Sequence, residues 1–88
     1  MCPALIVARA DKMSKRDQGD EVLQTLAQLD NSLFNSLNPM QKYYVWYMRG
    51  MVYKFKGDKP NAIKCFKTSL KYFDGPTAVS HMELRELK

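Results

Sequence analysis

The side chains able to do covalent or metal chemistry are few and scattered. Cysteine occurs at Cys2 and Cys65, and the single histidine is His81. A metal site needs several ligands brought to one point, and a nucleophile needs a base beside it; these three positions offer neither pattern. Two isolated cysteines do not build a disulfide framework. Paired carboxylates and a glycine-rich phosphate loop are also missing from the sequence. The residues therefore predict no catalytic centre, no metal and no cofactor. Cys65 reads as a small residue on a helix, and the chain reads as one that works by binding and not by catalysis.

Charge is the stronger signal. The net charge is +5, and its excess is concentrated in residues 42–72, where Lys42, Arg49, Lys54, Lys56, Lys59, Lys64, Lys67 and Lys71 face Asp58 alone. Lys64, Lys67 and Lys71 are spaced by three and four, which puts them on one stripe of a helix. Such a basic surface can be a solvated outer face. It can also attract an acidic partner, speeding encounter and making binding salt-dependent. Nucleic acid is the third reading, because lysines contact phosphates and tyrosines stack on bases. No recognition-helix, RNP or zinc-finger signature accompanies the charge.

Helical periodicity explains how these residues are positioned. Val22, Leu26, Leu29, Leu33 and Leu37 recur at spacings of four, three, four and four, one face of a helix, with Leu23, Ala27 and Phe34 widening the stripe. Asn38-Pro39 then reads as an N-cap followed by proline at the first helical position. Beyond it Tyr44, Tyr47, Met48, Met51, Val52 and Phe55 share one face, while Tyr43, Trp46 and Tyr53 make the other side large and apolar too. A helix apolar nearly all round is gripped by neighbours from both sides. Gly57 supplies a left-handed turn, Asp58 a cap, and Pro60 falls in the next first turn. Ala62, Ile63, Phe66, Ser69, Leu70 and Phe73 form the inward face of that helix, which Asp74-Gly75-Pro76 stops. The ends add a helix over 3–16, turned by Gln18-Gly19-Asp20, and a final helix over 77–87. Ser80-x-x-Glu83 reads as its capping box, with Thr77 as the alternative cap. No strand pattern is present in the sequence.

Eighty-eight residues, 45% hydrophobic and 26% charged, fit one small domain. No apolar run is long enough to span a bilayer. The opening Cys2–Ala8 stretch is too short for a signal peptide's apolar region and has no basic leader, so the expected compartment is the cytoplasm.

The stretch Trp46-Tyr47-x-x-Gly50-x-x-Tyr53-x-x-x-Gly57-Asp58-x-x-x-Ala62-x-x-x-Phe66-x-x-x-Leu70 resembles a tetratricopeptide repeat (TPR) motif. Gly50 and Ala62 are small so that two antiparallel helices approach closely, and Trp46, Tyr53 and Phe66 fill the space beside that contact. Arg49 departs from the motif's usual leucine, Ser69 from its alanine, and Asp74 from its closing proline. Arg49 is expected to run its stem along the helix and keep its charge in water. The resemblance implies an all-α chain of antiparallel helical hairpins, about four to five helices in one domain. Its parts are a degenerate helical pair at 3–37, the TPR hairpin at 39–73 and a capping helix at 76–88.

The resemblance also implies a small protein-protein interaction module, of the adaptor, chaperone or inhibitor type. Its groove-lining positions fall on Tyr44, Tyr47, Met51, Lys54 and Phe55. An acidic or amphipathic-helix segment of a partner protein is the expected occupant. Packing of Tyr44, Tyr47 and Met51 against the Val22–Leu37 helix is the competing reading of the same side chains. A basic helical nucleic-acid-binding protein is the alternative function, no membrane partner is expected, and a homodimer would also satisfy the all-round apolar helix.

Overall fold

The computed structural model describes residues 2–75 and 79–87, and every regular element among them is an α-helix. Six helices follow in order: α1 (Pro3–Lys12), α2 (Gly19–Leu26), α3 (Asn31–Asn35), α4 (Pro39–Phe55), α5 (Lys59–Ser69) and α6 (Val79–Leu87). The expected all-α class forms, with more helices than the four to five the sequence implied.

The centre of the molecule follows its local signals. Asn38 accepts the Gln41 backbone N–H at 2.9 Å, and the Gln41 side chain accepts the Asn38 N–H at 3.0 Å, a reciprocal cap that starts α4 with Pro39 in its first turn. Gly57, at φ +80°, reverses the chain at the other end. There the Asp58 N–H donates to the Tyr53 carbonyl at 2.9 Å, satisfying one of the last carbonyls of α4. Asp58 does not cap α5 through its side chain. Its φ of −91° and ψ of 75° lie off the extended cap conformation, and its carboxylate accepts from the Asn61 amide at 2.7 Å instead. α5 then returns antiparallel to α4. A β-carbon on Gly50 would stand 2.7 Å from the ring of fully buried Phe66, so the contact of the two helices requires glycine there.

The N-terminal third departs from the expected helical pair. α1 stops at Lys12, the turn spans residues 13–18, and Gly19 and Asp20 already belong to α2. The Gln18 side chain closes that turn by accepting the Ser14 N–H at 3.1 Å. The Val22–Leu37 stripe is broken at residues 27–30 into α2 and α3. Asp30 takes an extended conformation and accepts the Leu33 N–H at 2.8 Å, so a new helix starts in the middle of the apolar repeat. Val22, Leu26, Leu29 and Leu37 still reach one core, with Ile6, Val7 and Ala10 of α1 and Val45, Met48 and Val52 of α4.

At the C-terminal side α5 ends at Ser69, before Asp74-Gly75, and Pro76 and Thr77 lie outside the described residues. The Ser69 hydroxyl donates to the Phe66 carbonyl at 2.6 Å, competing with the backbone for it. Ser80 is not a cap. It lies within α6, fully buried, and Glu83 points to Lys54 and not to the Ser80 N–H.

Helix directions follow from these pairs. Val7 lies near the start of α4 and Arg16, beyond α1, sits over Phe55 at its end, so α1 runs parallel to α4. Ser80 meets Tyr43 while Glu86 meets Lys54, so α6 runs parallel to α4 as well. α2 packs on α1 and α4, and α5 packs on α4 and α6. The shortest dimension, 19 Å, matches two layers of helices spaced about 8–10 Å apart.

Candidate functional site

α1, α4 and α6 together carry the face on which the expected binding residues fall. Tyr44 is half-buried and its hydroxyl donates to Asp11 at 2.5 Å. That bond to a carboxylate, followed by burial, pushes its pKa up to about 12. Tyr47 stacks on Tyr44 and Tyr43 with ring centroids 5.9 and 6.0 Å apart, and tilts against Phe66 at 5.8 Å. Burial, then the nearby Glu83 carboxylate, raises the Tyr47 pKa. Met51 is half-buried on the same helix. Lys54 bridges Glu83 at 2.5 Å and Glu86 at 3.1 Å, and the bond to Glu83 raises its pKa despite partial burial. Phe55 lies under the Arg16 guanidinium at 5.0 Å. These side chains do not form one open stripe: α1 and the 13–18 turn hold Tyr44 and Phe55 on one flank of α4, and α6 holds Lys54 on the other.

An apolar cleft remains at the start of α4. It has a volume of about 490 Å³ and is lined by Val7 of α1, Met40, Tyr43 and Tyr44 of α4, Phe73 after α5, and Val79 of α6. Met40 is 53% exposed and Val79 43% exposed, so large apolar groups at its rim face water. Of the five binding residues read from the sequence only Tyr44 lines it. Val7, Met40, Phe73 and Val79 come from four separate segments, and no local spacing unites them. Met40 alone carried a signal, a large apolar residue exposed at the second position of a proline-started helix.

A network of hydroxyls holds α6 beside this cleft. The Ser80 N–H donates to the Tyr43 hydroxyl at 3.1 Å, and the Ser80 and Ser69 hydroxyls lie 2.6 Å apart in a fully buried contact. Ser69, a departure from the repeat motif, is thus the α5 partner of α6. His81 pairs with Asp74 at 2.7 Å on the exposed side.

The basic stripe is where the spacing puts it. Lys64, Lys67 and Lys71 are exposed, and none joins an ion pair among the described residues. Lys67 also borders a cleft of about 540 Å³ between α5 and α6, with Ile63, Leu84, His81 and Arg85. That cleft is larger than the one at the start of α4, but charged groups at its margin make it less suited to an apolar anchor. Cys65 is 6% exposed, and burial pushes its thiol pKa up, opposite to what a nucleophile requires. No group of three or more His, Cys, Asp or Glu side chains converges as metal ligands would among the described residues. No helix among them is long and apolar enough to cross a membrane. No protein-family model matches the chain, and neither a curated protein nor a solved structure matches it.

Proposed function

We propose that the chain is a small protein-interaction module of the adaptor, chaperone or inhibitor type, which seats an amphipathic-helix segment of a partner protein on the face of α1, α4 and α6. The observation that carries this reading is the apolar cleft at the start of α4, where Met40 and Val79 hold exposed apolar surface beside Tyr44. Rigid tyrosines beside adaptable methionines suit a surface that receives another protein's apolar side chains. The resemblance of residues 43–76 to a TPR hairpin supports the same class, and the expected working compartment is the cytoplasm. Binding, not catalysis, is the proposed activity.

The test is a capture from native cell extract at low and high salt, with the wild type beside a Met40→Glu/Val79→Glu variant. Both positions are exposed at the rim, so the variant keeps the core intact. One protein retained by the wild type at high salt and lost by the variant is the expected result. Lys64, Lys67 and Lys71, exposed and in no ion pair among the described residues, favour the second reading, a nucleic-acid-binding surface. Capture of nucleic acid that elutes with salt, and is abolished by changing those lysines to Glu, replaces the first reading with the second. Sedimentation of the purified chain decides whether a second copy covers the cleft.

A further inference from the structure

Arg49 stands where the repeat motif is apolar, and its surroundings are unusual for a charge. Its guanidinium lies over the Trp46 ring, 4.6 Å from the centroid, and does not extend into open water as the sequence implied. The cleft beside it, about 370 Å³, is lined by the aromatic residues Phe34, Trp46 and Tyr72, by Leu29, Asn31 and Asn35, and by Arg49 itself. Lys42 adds a second cation, 5.8 Å from the Phe34 centroid and 6.0 Å from that of Tyr72.

No carboxylate of the described residues lines this cleft. Neither Arg49 nor Lys42 makes an ion pair among the described residues. Asp30, the acid adjacent to the lining in sequence, commits an oxygen to capping Leu33 at 2.8 Å. Burial lowers the Arg49 pKa, the mark of a cation losing water without gaining a counter-charge. The cation–π contact offsets only part of that loss. The indole Nε1 of Trp46 is also buried without a hydrogen-bond partner among the described residues.

We propose that this cleft between α3 and the α4–α5 hairpin is an oxyanion-binding site, taking a carboxylate or phosphate group whose carrier presents a flat or apolar face to the three rings. Arg49 pairs with the oxyanion through its planar fork of N–H donors. The Asn31 and Asn35 amides supply neutral donors, and Lys42 adds attraction from the margin. The rings of Phe34, Trp46 and Tyr72 exclude water and stack on the carrier. An aromatic acid, an aryl phosphate, or an acidic side chain of another protein all offer that chemistry. The site is separate from the apolar cleft: Arg49 follows Met40 by nine residues, about two and a half helical turns, which puts it on the opposite side of α4. Failure of one binding surface therefore leaves the other untouched.

Trp46 is the chain's single tryptophan, so its emission reports on the site directly. Phenyl phosphate, benzoate, inorganic phosphate and a capped pentapeptide with one central glutamate are titrated at fixed ionic strength set with chloride. The expected result is a saturable change in Trp46 emission, at lower concentration for phenyl phosphate than for inorganic phosphate. Arg49→Met should weaken it by about tenfold or more and Arg49→Lys by less, because lysine keeps the charge and loses the fork. Asn35→Asp, at an exposed position, places a competing carboxylate at the margin and should abolish it without unfolding the chain. Tighter binding of the peptide assigns the site to a protein partner, and tighter binding of the aryl anions assigns it to a small molecule. A change that is linear in anion concentration, or equal in wild type, Arg49→Met and Asn35→Asp, overturns the proposal. Phenyl phosphate should also raise the melting temperature of the wild type and leave that of Asn35→Asp unmoved.

Discussion

The two flanks of α4 are held by different physics. Toward the N-terminal helices the contact is apolar: Ile6, Val7, Ala10, Val22 and Leu26 meet Val45, Met48 and Val52. Toward α6 the contact is largely polar, through Tyr43, Ser69 and Ser80 at one end and Lys54, Glu83 and Glu86 at the other. Apolar burial is non-directional and additive in area, so it makes one cooperative body. Hydrogen bonds contribute little net free energy when made and cost more when one partner is left buried alone. The first flank sets the stability of the domain, and the second sets where α6 sits.

Met48→Ala tests the apolar flank and should have the largest effect. Met48 is fully buried, so truncation leaves a cavity and should destabilise the whole domain by about 2–5 kcal/mol in chemical denaturation. Ser80→Ala tests the polar flank and should cost about 1–2 kcal/mol, felt mainly as faster amide exchange in α6. Equal loss of protection in α1 and α6 would show the two flanks to be one unit. Tyr44→Phe should have the smallest effect, and that effect should vanish at alkaline pH. The bond to Asp11 favours the protonated phenol, so its stabilisation is complete below about pH 10 and disappears as pH rises through about 12. Wild type and Tyr44→Phe should therefore converge in stability across that window, and parallel pH profiles would deny the bond any weight.

The same contrast explains what could be read from the sequence. The α4–α5 hairpin is written in local signals: a proline after a capping asparagine, a glycine at the reversal, and a glycine where an aromatic ring must approach. The break at Asp30 escaped the apolar repeat because Leu29 and Leu33 keep their spacing while the backbone between them leaves the helix. Its only signal is the Asp30-Asn31 pair, whose short polar side chains compete for backbone N–H groups. The polar flank was hidden for another reason. Ser69, Ser80 and Tyr43 are far apart in the chain, and only tertiary packing makes one network of three unremarkable hydroxyls. Arg49 was visible as a departure from the repeat, and Trp46 three residues before it lies within stacking reach on a helix.

The two cysteines give the molecule an internal clock. Cys2 is exposed, while Cys65 is shut within the hairpin. A thiol reagent in excess modifies Cys2 at the rate set by its own chemistry. Cys65 must wait for α5 to part from α4, so the ratio of the two rates counts how often the hairpin opens. A ligand at either face of α4 that steadies the hairpin would slow the second reaction and leave the first unchanged.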